Sequence, residues 1–100
     1  KSIKRLIEFG NVKINLNKHL ILKDKKEYKI NNTEKTILEV MINSPGKSFS
    51  REKIGKIINL DKERSVDVII TRLRKKIEQN PKNPKYLQTL RGEGYVLWIE

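Results

Sequence analysis

Arginine and lysine three residues apart on a helix present cations to one side. Such a row can neutralise anionic oxygens or make the two-pronged hydrogen bonds of a guanidinium to a flat acceptor edge. The stretch RSVDVIITRLRKKIE, Arg64 to Glu78, has this layout. At about 100° per residue, Val66, Ile70, Leu73 and Ile77 fall in a narrow arc and predict a core stripe, with Val68, Thr71, Arg72, Lys75 and Gln79 on the far side. Asp67, Arg74 and Glu78 share one edge, Arg74 and Glu78 being spaced as i,i+4 partners, while Ile69 and Lys76 share the other. Acid is therefore confined to an edge, and the outer face carries Arg72 and Lys75 without a carboxylate. That favours a phosphate-facing surface over its competitor, an ordinary solvated basic face. Val68 supports the same choice, because a valine exposed on a helix is a poor helix former with nothing to pack against. The edge position of Ile69 predicts partial burial.

The other short motifs lead to no catalytic or metal chemistry. SPGKS ends like a phosphate-binding loop, but the upstream glycine position is Met41, so it reads as a turn. GEG lacks the third glycine of a dinucleotide fingerprint. His19 is the sole histidine and there are no cysteines, so a metal site or a histidine-based nucleophile has no second member. Asn31-Asn32-Thr33 fits a glycosylation pattern that matters only in a secreted chain. The expectation is a protein that is not an enzyme, with no cofactor.

In composition, 23 Lys+Arg against 12 Asp+Glu in 100 residues leave a formal charge of +11, which makes nucleic acid or an anionic membrane surface the leading partner class. No apolar run approaches the roughly 18 to 20 residues of a membrane span. The opening KSIKRLIEFG has neither the apolar run nor the cleavage site of a secretory signal. No membrane partner and a cytoplasmic location are expected.

The cationic helix needs elements to hold it. LIEFGNVKINLNKHLILKDKKEYKI predicts about four short antiparallel strands broken at Gly10-Asn11, Asn17-Lys18 and Asp24-Lys25, with Val12, Ile14 and Leu16 on a buried face. Ile37, Leu38, Met41 and Ile42 predict a first helix behind the capping residues Asn32-Thr33-Glu34, ending at Pro45-Gly46. A brief strand at KSF and a second helix from Arg51 to about Asn59 follow; Ser50 is its cap, with Ile54, Ile57 and Ile58 inward. Ser65 is placed to cap the third helix, about residues 65–79, which Asn80-Pro81 stops. The tail KYLQTLRGEGYVLWIE predicts a hairpin at about residues 86–99, turning through Arg91-Gly92-Glu93-Gly94. Helix, turn, basic helix and two-stranded wing in this order make an α+β winged helix.

In these residues and their order, the chain strongly resembles the C-terminal DNA-binding domain of the OmpR/PhoB family of bacterial two-component response regulators. NTEKTILEVM with SPGKSFSREKI, then RSVDVIITRLRKKIE, then PKYLQTLRGEGYVL carry the resemblance over essentially the whole chain, residues 1–100; the third resembles the OmpR branch in particular. The resemblance implies a four-stranded N-terminal sheet, the third helix in a major groove of double-stranded DNA and the hairpin at the minor groove. It implies that Val68 and Arg72 face base edges, that Arg64, Ser65, Thr71, Arg74 and Lys75 face phosphates or groove walls, and that Thr89, Arg91 and Tyr95 belong to the wing. It further implies RNA polymerase as a partner at the loop Asn59, Leu60, Asp61, Lys62 and Glu63. A dimer on directly repeated half-sites is expected of the activated full-length protein, with a histidine kinase acting on a receiver domain outside this chain.

Two positions depart from the family pattern: Lys35, where an aromatic residue is usual, and Ile69, often polar and DNA-contacting. The competing function class is a winged-helix module for protein or RNA, which would not need Val68, Arg72 and the wing arginine together.

Overall fold

Two two-residue turns and one of four residues, 16–19, link the strands of the N-terminal sheet. In the computed structural model, which describes residues 6–59 and 63–99, β1 (Leu6–Phe9), β2 (Val12–Asn15), β3 (Leu20–Lys23) and β4 (Lys26–Lys29) form an antiparallel meander in the order β1-β2-β3-β4. Asp24 and Lys25 both adopt positive φ (50° and 68°) between the paired residues Lys23 and Lys26, the handedness a tight hairpin requires. Gly10 (φ 53°) plays that part between β1 and β2, and a Cβ there would also run into the Tyr86 hydroxyl. Val12, Ile14 and Ile21 are buried on the sheet's inner face, and Leu16, in the turn after β2, is buried too.

The first helix, α1 (Asn32–Ile42), has its cap one residue ahead of the predicted capping residues. Asn31 is the N-cap and Glu34 closes a capping box: the Glu34 amide donates to Asn31 Oδ1 (2.8 Å) and the Asn31 amide to Glu34 Oε1 (3.0 Å). Ile37, Leu38, Met41 and Ile42 are buried as predicted. After β5 (Ser48–Phe49), Ser50 caps α2 (Arg51–Ile57) by accepting the Lys53 amide. This helix stops short of Asn59, whose φ of 58° leaves the helical region; Ile54 is buried and Ile57 and Ile58 pack partly against the core.

Both ends of α3 (Glu63–Ile77) lie two residues upstream of the predicted 65–79. Ser65 is inside the first turn rather than its cap. A serine that can cap a helix is also tolerated within its first turn, so the cap signal did not fix the start. At the far end, the Lys23 ammonium donates to the Lys75 and Glu78 carbonyls (2.9 and 2.8 Å), replacing the amides a further turn would have offered. The predicted stripe Val66, Ile70, Leu73 and Ile77 is fully buried.

β6 (Leu87–Leu90) and β7 (Gly94–Leu97) make the hairpin, and β5 pairs with β7, giving a second sheet in the order β5-β7-β6. Gly94 (φ 121°) is obligatory, because a Cβ there would clash with the Phe49 carbonyl backbone.

Candidate nucleic-acid interface

The outer face of α3 matches the helical count. Val68 is 46% exposed, and Thr71, Arg72, Lys75 and Gln79 are exposed. Ile69 is partly buried against the core, as its edge position predicted. The Thr71 hydroxyl donates to the Asp67 carbonyl at 2.8 Å, so its proton is committed to its own helix and its oxygen faces outward as an acceptor. Ser65 is half-buried in the first turn. The Arg64 side chain and residues Leu60, Asp61 and Lys62 lie outside the described residues; of the predicted loop, Asn59 is exposed and Glu63 opens α3.

Arg74 does not join that face. Its Nε donates to the Leu87 carbonyl (2.8 Å), its Nη2 to Thr89 Oγ1 (2.6 Å), and its guanidinium sits 5.6 Å from the centre of the Tyr95 ring. The expected Arg74–Glu78 pair is not formed. The Glu78 carboxylate is buried and accepts the amides of Lys85, Tyr86 and Leu87 (2.8, 2.9 and 2.7 Å), the point where the chain enters β6. Three converging amide donors satisfy a buried carboxylate better than one arginine already shared with the wing.

Tyr95 is buried in β7 and its hydroxyl donates to the Asp67 carboxylate, which also pairs with Arg51 Nε at 3.0 Å. Burial first, and then the hydrogen bond to Asp67, push the Tyr95 phenol above its ordinary value of 10.0. Arg74, Thr89 and Tyr95 thus form a joint between α3 and the wing, while Arg91 is exposed at the wing's tip. An open cleft of about 460 Å³ separates the start of α2 from the wing, with Arg51, Thr89, Arg91 and Tyr95 in its lining.

Several residues that position this surface were not singled out from the sequence. Lys76 donates to the Glu34 carboxylate (2.9 and 3.1 Å) and to the Lys29 carbonyl (2.9 Å), tying α3 to the capping box of α1. Gln79 donates to Asp24 in the turn between β3 and β4 (2.7 Å). Asp67 had one visible signal, a carboxylate beside a cationic face, and Glu34 was legible as a capping residue but not as the partner of Lys76; Arg51 and Lys23 had none, since their partners are distant in sequence.

The geometry is that of a winged helix, and comparison with known proteins agrees. The family model for the transcriptional regulatory protein C-terminal domain matches residues 25–97. The chain belongs to this family. Its membership accords with the OmpR/PhoB resemblance seen in the sequence. Among relatives of the transcriptional regulatory protein C-terminal family, the chain is 37% identical over 97 residues to the probable transcriptional regulator ycf27 of Porphyridium aerugineum, covering 91% of this chain and 40% of that protein. The chain therefore spans well under half the length of the curated relatives it matches. Among solved structures it is similar to the Thermotoga maritima response regulator DrrB, an OmpR/PhoB homologue (TM-score 0.83, 32% identity, 95% of this chain and 45% of that one). It is also similar to the Klebsiella pneumoniae RstA DNA-binding domain in complex with the RstA box (TM-score 0.77, 26% identity, 95% and 98%). Among the described residues no helix is long and apolar enough to cross a membrane, and no group of three or more metal-ligating side chains occurs.

Proposed function

We propose that residues 1–100 are one DNA-binding output domain of a transcriptional regulator, with no catalytic activity of its own, and that α3 enters the major groove of double-stranded DNA while the wing meets the minor groove. The observation that carries this reading is the exposed outer face of α3, where Val68, Thr71, Arg72 and Lys75 stand together beside the wing and its exposed Arg91. The similar RstA domain, described in complex with the RstA box, supports it.

In this reading Arg72 makes the bidentate contact to guanine O6 and N7, and Val68 packs on a thymine methyl. Lys75, Arg64, Ser65 and Thr71 meet phosphates or groove walls. Thr71 serves as an acceptor unless its rotamer changes. Arg74, Thr89 and Tyr95 set the angle between helix and wing, and Arg91 suits a narrow A·T-rich minor groove where the negative potential is enhanced.

The length of the relatives supports a larger protein. In it a receiver domain takes a phosphoryl group from a histidine kinase, the activated protein pairs on directly repeated half-sites, and the Asn59 to Glu63 loop touches RNA polymerase in the cytoplasm.

Selection of bound duplexes from a random pool supplies a preferred site, against which two variants separate the roles. Arg72→Ala should lose about 1–3 kcal/mol on that site and little on random duplex, flattening base preference. Lys75→Ala should weaken both duplexes alike and make the salt slope shallower by about 0.9. Identical behaviour of the two variants would sink the assignment. Equal affinity of the parent chain for DNA, RNA and an unrelated polyanion would favour a general interaction module instead.

A further inference from the structure

Asp67 is a carboxylate at the rim of a cationic face, and on charge alone it should repel the phosphates that face attracts. Its contacts indicate another part. One carboxylate joins three elements: it belongs to α3, pairs with Arg51 of α2 at 3.0 Å, and accepts the hydroxyl of Tyr95 in β7. The Arg51 and Asp67 side chains are 55% and 37% exposed, so the pair stands at the surface, where an ion pair adds little to stability. Its consequence is geometric. The pair restrains a long flexible cation in the lining of the cleft, which Arg51 shares with Thr89 and Arg91 and also with Glu52 and Glu93. A helix in the major groove and a wing at the minor groove must straddle the phosphodiester strand between them, and this cleft opens between the start of α2 and that wing.

We propose that Asp67 is a positioning residue for DNA binding, holding Arg51 at the cleft and the wing strand against α3, so that Arg51 meets a backbone phosphate and removal of this negative charge weakens binding. The proposal rests on the DNA-binding reading above and adds Arg51 to its contact surface. Restricting Arg51 before binding lowers the ordering cost of the phosphate contact, which outweighs the screened repulsion of one rim carboxylate.

The test measures binding of the full chain to the selected duplex and to a random duplex over a salt series, for the parent, Asp67→Ala, Asp67→Glu, Arg51→Ala and the double variant Asp67→Ala/Arg51→Ala, with thermal unfolding of each. Asp67→Ala should lose about tenfold on the selected duplex. Its salt slope should become shallower by up to about 0.9, in the direction of Arg51→Ala. Asp67→Glu should recover part of the loss, and the double variant should be no weaker than the weaker single one. Tighter binding of both duplexes by Asp67→Ala, or strictly additive losses in the double variant, would overturn the proposal while leaving the DNA-binding reading intact. A parent chain that binds no duplex would overturn that reading, and this proposal with it. Should Asp67→Ala fail to fold, Arg51→Ala and Arg51→Lys carry the test: an unchanged salt slope in Arg51→Ala, or failure of Arg51→Lys to recover affinity, counts against it.

Discussion

Tyr95 shows how one side chain can serve an interface without reaching it. Its ring is buried under the Arg74 guanidinium and its hydroxyl is spent on Asp67, so its part is to hold the wing against α3. Because its phenol is raised above 10.0, the folded state favours the protonated form. The stability this contributes is complete below the unfolded value, about 10, and is lost as pH rises through the higher folded value. The difference in urea midpoint between the parent and Tyr95→Phe should therefore stay constant to about pH 9 and shrink or reverse above about pH 10. A gap unchanged through that alkaline range would contradict the raised phenol, whose first cause is burial and second the hydrogen bond to Asp67. At the same scale, Arg72 and Lys75 face outward, which leaves their donors available to a partner, whereas Arg74, one residue before Lys75, is committed to Leu87 and Thr89.

At the scale of elements, the end of α3 is the hinge of the design. Lys23 from β3 covers its last carbonyls, Lys76 ties it to α1, and the Glu78 carboxylate gathers three amides at the entry to β6. The recognition surface is thus anchored to the first sheet and to the wing through the same turn of helix. Glu78→Ala would strand three amide donors, two of them in partly buried bonds and one in a buried bond, at a net cost of about 1 kcal/mol each and about 3 kcal/mol together. Urea unfolding should show that loss in the midpoint, with Glu78→Gln losing less because an acceptor oxygen remains. A midpoint shift under about 0.5 kcal/mol would mean the cradle is replaceable by water.

Across the whole molecule, charge is not spread evenly over one binding face. The formal +11 includes Lys13, Lys18, Lys25, Lys26 and Lys29, which are exposed on the first sheet and its turns, whereas the proposal assigns DNA-neutralising contacts to four cations, Arg51, Arg64, Lys75 and, in the minor groove, Arg91. Four such contacts give a slope of log affinity against log salt of about −3.6, while engagement of eleven charges would give about −10. A salt titration on random duplex distinguishes the two. A slope near the larger figure would mean that the first sheet also lies on the DNA, and that α3 and the wing are only part of the footprint.

The sequence alone determined what depends on local chemistry. The period of Val66, Ile70, Leu73 and Ile77 placed the core stripe of α3, and with it the outward set Val68, Thr71, Arg72 and Lys75, because a helix converts spacing directly into direction. Alternation in Val12, Ile14 and Leu16, the turn at Asp24-Lys25 and the glycines of the wing were legible for the same reason. What only the tertiary structure decided was how side chains with several possible partners spent their hydrogen bonds. Spacing allowed Arg74 to meet Glu78, yet the packed chain brought Thr89 to one and the amides of residues 85–87 to the other. It likewise ended α3 at Ile77 through Lys23, a residue more than fifty positions away. The joining of Arg51, Asp67 and Tyr95 has the same cause: burial makes an unsatisfied donor or acceptor costly, so the choice among partners is made by proximity in the folded chain, which no local pattern encodes.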